Sequence, residues 1–253
     1  MTDSGCAGYF HTPMPWWRKI RWQSPVQADE RATWLAFVPI CLTGFFYLLP
    51  AQLQQNLLLQ FLPQLAAYGA LVIWWKSNHD ALPALGLARG SLKQGVVWGI
   101  GTGCLLGLIN ATVILWVVPA LGGDILFLAD TPHARMPSFV MIPWFTVLIA
   151  IGVELNFRGF LLGRLECFCC RWISLGPANG LRLGSIVAML ISALVFAFDP
   201  FMVMTFRHLH WIAVWDGLIW AALFLRWRNL VTVIAAHAIE VMILYLSVKA
   251  TLT

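Results

Sequence analysis

The run Val153-Glu154-Leu155-Asn156-Phe157-Arg158-Gly159-Phe160-Leu161-Leu162 sets an acid and a guanidinium four residues apart in a stretch that is otherwise almost wholly apolar. On a helix that spacing puts Glu154 and Arg158 on one face, a turn apart. Ionisable groups are costly inside a bilayer, so a pair of them there calls for a role. Further along, His237 stands among Ala235, Ala236 and Ala238, Glu240 follows it by one turn, and Asp199 interrupts another apolar run. Carboxylate and imidazole can exchange a proton, and a guanidinium can pair with a carboxylate. Counted inward from the ends of their apolar runs, Glu154 and His237 each lie about eight residues deep, or roughly 12 Å at the helical rise, so they share a depth and can form one centre.

Each of these residues also has a purely structural reading. Glu154 and Arg158 stand in the Glu-first order that favours an ion pair within a helix. His237 on a face of small residues suits a hydrogen bond between helices. Asp199 and Glu240 are lone carboxylates at membrane depth, where a cation or a proton must accompany them. Asn156 is a further polar residue expected in a structural or pocket role, and Arg158 is expected to bond Glu154 or another intramembrane acid, Glu240 first among them. Asp216 is expected to pair with Arg207 or with the histidines of Arg207-His208-Leu209-His210.

The elements that must position these groups follow from composition. Hydrophobic residues make up 60% of the 253 and charged residues 11%, with a mean hydropathy of +0.78. Those values exclude an ordinary soluble domain and imply a polytopic membrane protein. Apolar stretches run at about 33 to 50, 53 to 75, 92 to 121, 138 to 162, 184 to 204, 208 to 226 and 229 to 249. Each meets or approaches the roughly 20 residues a crossing needs. The predicted fold is therefore all-α, a transmembrane helix bundle of about seven spans over residues 33 to 253, preceded by a segment 1 to 32. Length and Pro119 predict a tilted or irregular outer end for the third span. Buried ionisable groups must face the bundle interior, so the helices with Glu154, Phe196 and His237 are predicted to be neighbours around a polar pocket.

With the N terminus in the cytoplasm, Arg18, Lys19, Arg21, Arg31, Lys76, Arg89, Lys93, Arg164, Arg171, Arg182, Arg226 and Arg228 all fall inside, against Arg135, Arg207 and Lys249 outside. That bias orients the chain. The formal charge of +5 and pI near 9.1 arise from these loops and point to anionic lipid head groups, not nucleic acid. Residues 1 to 32 lack the apolar core of a removable signal. Their Trp16, Trp17 and Trp22, interleaved with basic residues, suit either an interfacial segment and partner contact or a disordered tail. Cys41 and Cys104 fall within spans, while Cys167, Cys169 and Cys170 read as reduced cytoplasmic thiols with no metal-ligand spacing.

The same positions carry a family resemblance. Glu154 to Gly159 resembles the Glu-Glu-x-x-x-Arg motif of the CPBP proteins, the CAAX prenyl protease and bacteriocin-processing family of glutamic-type intramembrane endopeptidases. Ser192 to Phe198 resembles the helix of its Phe-x-x-x-His motif, and Asp216 to Ala238 its last block, which ends in His-x-x-x-Asn. Leu85-Gly86-Leu87-Ala88-Arg89-Gly90 and Gly95 resemble the region ahead of the core, so similarity covers about residues 80 to 245. The resemblance implies that the first glutamate and the second-motif histidine activate water and that the final His and Asn bind the oxyanion. Here those positions hold Val153, Pro200, His237 and Val241. Glu154, Arg158 and His237 remain as the residues that would act in an active enzyme.

Three functions compete. One is a CPBP-like scaffold without catalysis, an accessory or assembly subunit of a membrane complex, in a bacterial inner membrane. A second is an intramembrane endopeptidase using Glu154 and His237. The third, prompted by the histidines and 14 tryptophans, is a pigment or haem binder, although no cofactor is predicted in the first two. Loss of three motif positions at once favours the first.

Overall fold

The structure, a computed structural model, describes residues 30–87, 92–173 and 182–252. Trp16, Trp17 and Trp22 lie outside the described residues. Seven apolar helices follow one another: α1 (Thr33–Phe46), α2 (Leu57–Ser77), α3 (Leu92–Ala120), α4 (Ser138–Trp172), α5 (Leu183–Ala197), α6 (Pro200–Trp227) and α7 (Leu230–Leu252). Five of them, α2, α3, α4, α6 and α7, are long and apolar enough to cross a membrane, while α1 and α5 are shorter. Among the described residues there is no strand. The chain is a polytopic all-α membrane protein.

Several boundaries move from those expected, each for a local reason. The segment expected to run from 184 to 204 breaks at Asp199-Pro200. The residue before proline is driven out of the helical region, and proline itself suits the first turn of a new helix. Asp199 takes φ −55° and ψ 133°, and its side chain accepts from the Phe201 amide at 3.1 Å, capping α6. The fourth segment does not stop at 162 but continues to Trp172. Arg164, expected in a loop, is therefore helical and 1% exposed, with Nε 2.6 Å from Glu30 and Cζ 4.0 Å from the Trp74 ring centre. Arg228 likewise pairs with Glu166 at 2.6 Å, and Ser185 donates to Glu166 at 2.7 Å. The outer end of α3 is irregular near Pro119: residues Val113–Val117 form a wider π-helical turn.

The closest approach in the bundle is between α3 and α7. Gly95, Gly99, Gly103 and Gly107 recur every four residues and turn one bare stripe of α3 toward α7. A Cβ at Gly99 would stand 2.6 Å from both the Ala235 Cβ and the Thr232 carbonyl, and one at Gly107 would stand 3.2 Å from the Glu240 Cα. Small residues at such a seam let backbones touch, which is how helices gain dispersion contact where lipid supplies no hydrophobic drive. The seam carries Asn110, one turn beyond Gly107, up against α7. The sequence shows this Gly-x-x-x-Gly spacing plainly, yet it was not among the features used above to arrange the helices.

On the opposite side of α7's start, Gly86 adopts φ +78° and its carbonyl accepts from the Leu230 amide at 2.9 Å. A side chain there would meet the Phe224 ring at 2.9 Å. The connection ahead of α3 is thus docked on the turn between α6 and α7. The glycine seam yields a stability expectation. Gly103 faces the Ala236 backbone and the Ile239 Cβ, so Gly103→Val should overpack it and cost about 1 to 3 kcal/mol. Gly101, which faces open space, should accept the same change with little loss. Thermal unfolding of the two variants in one detergent compares them.

Candidate functional site

Helices α4, α5, α6 and α7 meet around Glu154. Its Oε1 accepts from Arg158 Nη1 at 3.1 Å, one turn on along α4, and lies 2.7 Å from His237 Nδ1 on α7. Glu154 and Arg158 are both 0% exposed. The guanidinium lies 4.4 Å from the ring centre of Phe196 on α5 and 5.0 Å from that of Trp220 on α6. Trp220 in turn stacks on His237 at 4.3 Å with 19° between planes. Cation–π contacts of this desolvated kind are worth about 2 kcal/mol at best. They add to the ion pair without meeting every donor: among the described residues, nothing hydrogen-bonds Arg158 Nε or Nη2, or Glu154 Oε2.

The local backbone helps to set this arrangement. Leu155–Leu162 is wound as a π-helix, eight residues long, directly after Glu154. Such widened turns are uncommon and are frequent at functional sites. Ser192 on α5 donates to the Phe157 carbonyl inside that stretch at 3.0 Å, tying α4 to the helix that supplies Phe196. Because Nδ1 of His237 faces a carboxylate, Nε2 is the ring nitrogen left to act on anything else.

A second polar cluster lies one turn along α7. The amide nitrogen of Asn110 is 2.6 Å from Glu240 Oε1 and 3.0 Å from each oxygen of Asp216, while Trp215 Nε1 donates to Asn110 Oδ1 at 3.0 Å. This corrects the expected pairing of Asp216. It faces inward from α6 at 5% exposure, whereas Arg207 lies over the Phe127 ring at 4.7 Å and the His210 ring contacts the Arg207 carbonyl at 2.6 Å. Arg158, for its part, bonds Glu154 and not Glu240. Asn110 had no part in the sequence reading. The glycine stripe leading to it was the available signal.

Asp199 and Asn156 take different places. Asp199 lines the same cavity as His237 but is held by Gln64 of α2 at 2.8 Å as well as by its cap bond. Asn156 does not reach that cavity. Two residues past Glu154, it points some 200° around the helix, into a small cleft beside Pro39, Thr43 and Pro63.

The cavity has a volume of about 370 Å³ and a largely apolar wall. Val153 and Val241 lie on that wall, as do His237, Asp216 and Glu240, whereas Glu154 and Arg158 are sealed behind it. Among the described residues, no lysine or arginine lines it. Among the described residues, no three His, Cys, Asp or Glu side chains group as a metal site, and Cys41, Cys104, Cys167, Cys169 and Cys170 are free of disulfides.

A bundle of apolar helices with an acid, a guanidinium and an imidazole joined in its interior, beside a cavity, defines a polytopic membrane protein with a buried polar centre. Residues 135–243 match the family model Rce1-like, described as type II CAAX prenyl endopeptidase Rce1-like. That stretch, similar to the Rce1-like family, holds Glu154, Arg158, Asp199, Asp216, His237 and Glu240. No curated protein and no solved structure matches the chain.

The buried pair gives a direct expectation. Arg158→Ala leaves Glu154, at 0% exposure, with His237 as its remaining partner and should destabilise by about 3 to 5 kcal/mol. Replacing both partners with apolar residues of similar size, Glu154→Leu with Arg158→Met, should recover much of that loss. Unfolding midpoints of the single and double variants measure the difference.

Proposed function

We propose that this chain is a CAAX-protease-like membrane protein that keeps the helix scaffold and cavity of its family without peptide hydrolysis, and serves as an accessory or assembly subunit of a membrane protein complex. The positive-inside bias further supports a cytoplasmic N terminus, with the bacterial inner membrane as the setting. One observation carries the reading: at the position where the family resemblance asks for the water-activating glutamate, the cavity wall presents Val153. A valine can neither take a proton nor hold a water. Glu154 is sealed from the cavity and committed to Arg158 and His237. At the second-motif histidine position, Pro200 opens α6 and its neighbour Asp199 is occupied as a cap. General-base catalysis contributes about a hundredfold to ten-thousandfold, and these positions supply none of it.

A second reading, an active endopeptidase, is favoured by one contact. His237 stands on the cavity wall with Nδ1 2.7 Å from Glu154. A histidine oriented by a carboxylate is how hydrolases set up a base.

The two are separated by incubating the purified chain with a quenched-fluorescent farnesylated CAAX peptide in nanodiscs. Cleavage should not exceed that of heat-denatured protein. A stoichiometric integral membrane protein should instead copurify and be weakened by alanine at Trp16, Trp17 and Trp22, and Glu154→Gln should leave that association intact provided the protein accumulates. Specific cleavage, lost in both Glu154→Gln and His237→Ala while the fold persists, would overturn the scaffold reading.

A further inference from the structure

Three carboxylates, Asp199, Asp216 and Glu240, stand on the wall of a cavity that, among the described residues, no lysine or arginine lines. Asp199 is satisfied by Gln64 and the Phe201 amide. Asp216 and Glu240 are not in that position. Both take the amide nitrogen of Asn110, which has two hydrogens for four carboxylate oxygens, and the two acids lie within hydrogen-bonding reach of each other. Glu240 is 2% exposed, and its Oε2 has no hydrogen-bond partner among the described residues. Arg158 lies within electrostatic reach of both acids. Yet its hydrogen bond goes to Glu154, and Phe196 and Trp220 lie beside the guanidinium. Two buried carboxylates served by so few donors draw positive charge toward themselves, because an uncompensated anion in an apolar interior is costly.

The remaining wall indicates what would carry that charge. Leu148, Phe157, Phe196, Ile114 and Leu244 make the cavity apolar beyond the acid pair, and Trp220 adds an aromatic face beside it. At about 370 Å³ the space lies at the low end of the roughly 300 to 1,000 Å³ typical of small-molecule sites. It has room for one chain and not for a two-chain phospholipid.

We propose that this cavity binds a cationic amphiphile, a primary ammonium on a single apolar chain, with its head at Asp216 and Glu240 and its chain along Phe157, Phe196 and Leu148. An ammonium has three donors and no acceptor, which is the complement of a carboxylate pair short of donors. The proposal deepens the non-catalytic reading by giving the cavity a ligand in place of a scissile peptide. The two fail separately, since cleavage of a peptide and retention of an amine are different readouts.

The test uses the full chain in phosphatidylcholine nanodiscs and equilibrium dialysis against labelled dodecylamine at neutral pH, with empty discs as the partition baseline and dodecanol as the uncharged probe. Saturable binding of one dodecylamine per chain is expected, at least tenfold tighter than dodecanol. Glu240→Gln and Asp216→Asn should each lower amine binding tenfold or more while keeping dodecanol binding, which reports an intact cavity. Asp130→Asn, at an exposed acid, should change neither. Should one acid variant fail to accumulate, the other decides. Dodecylamine bound no more tightly than dodecanol, or equally well by wild type and the acid variants, would overturn the proposal. So would retention of a lysine-bearing transmembrane peptide by a chain that ignores dodecylamine, which would assign the acid pair to a partner helix.

Discussion

One carboxylate oxygen holds the interior together. Glu154 Oε1 serves both Arg158, on its own helix, and His237, on α7. A charge stranded in this interior would cost several kcal/mol, so each of the three groups constrains the other two. The requirement fixes the register of α4 against α7. It also fixes what surrounds them, because a guanidinium with donors to spare is best covered by aromatic faces, and Phe196 and Trp220 supply these from α5 and α6. Four helices are thereby located by one polar contact.

A second constraint acts from the other side of α7. The glycine stripe of α3 allows backbone contact, and that contact brings the amide of Asn110 to Glu240. Had α3 carried larger residues at this seam, the helices would stand further apart and Asn110 could not bridge Asp216 and Glu240. Dispersion at a tight seam and hydrogen bonding at its end reinforce each other. The interior therefore holds two polar clusters a helical turn apart, one an ion pair with an imidazole and the other a carboxylate pair sharing an amide.

The two clusters differ in what they can meet. Glu154 and Arg158 are closed off by packing, while Asp216, Glu240 and His237 reach the cavity. In the stretch similar to the Rce1-like family, Val153, Pro200 and Val241 stand at three motif positions, and Glu154 bonds both Arg158, on its own helix, and His237. Of the groups facing the cavity, His237 stands at a motif position, whereas Asp216 and Glu240 do not.

Much of this was legible in the sequence. Apolar runs gave seven helical segments because a bilayer demands length and apolarity, both of which are local properties. The Glu154 to Arg158 spacing foretold their pairing, and equal depth foretold the meeting with His237, since helical rise converts residue counts into distance. Three outcomes needed the tertiary structure. Asn156 turns away from the cavity because two residues rotate a side chain to the far side of a helix. Asp216 prefers Asn110 to Arg207 because the direction of its helix face, and not its distance along the chain, selects its neighbours. The sealing of Glu154 behind Val153 depends on how four helices pack against one another. The sequence by itself determined which groups had to be buried and along which helices they lay; only the packed bundle decided which of them face the cavity, because access to a space depends on atoms from many helices at once.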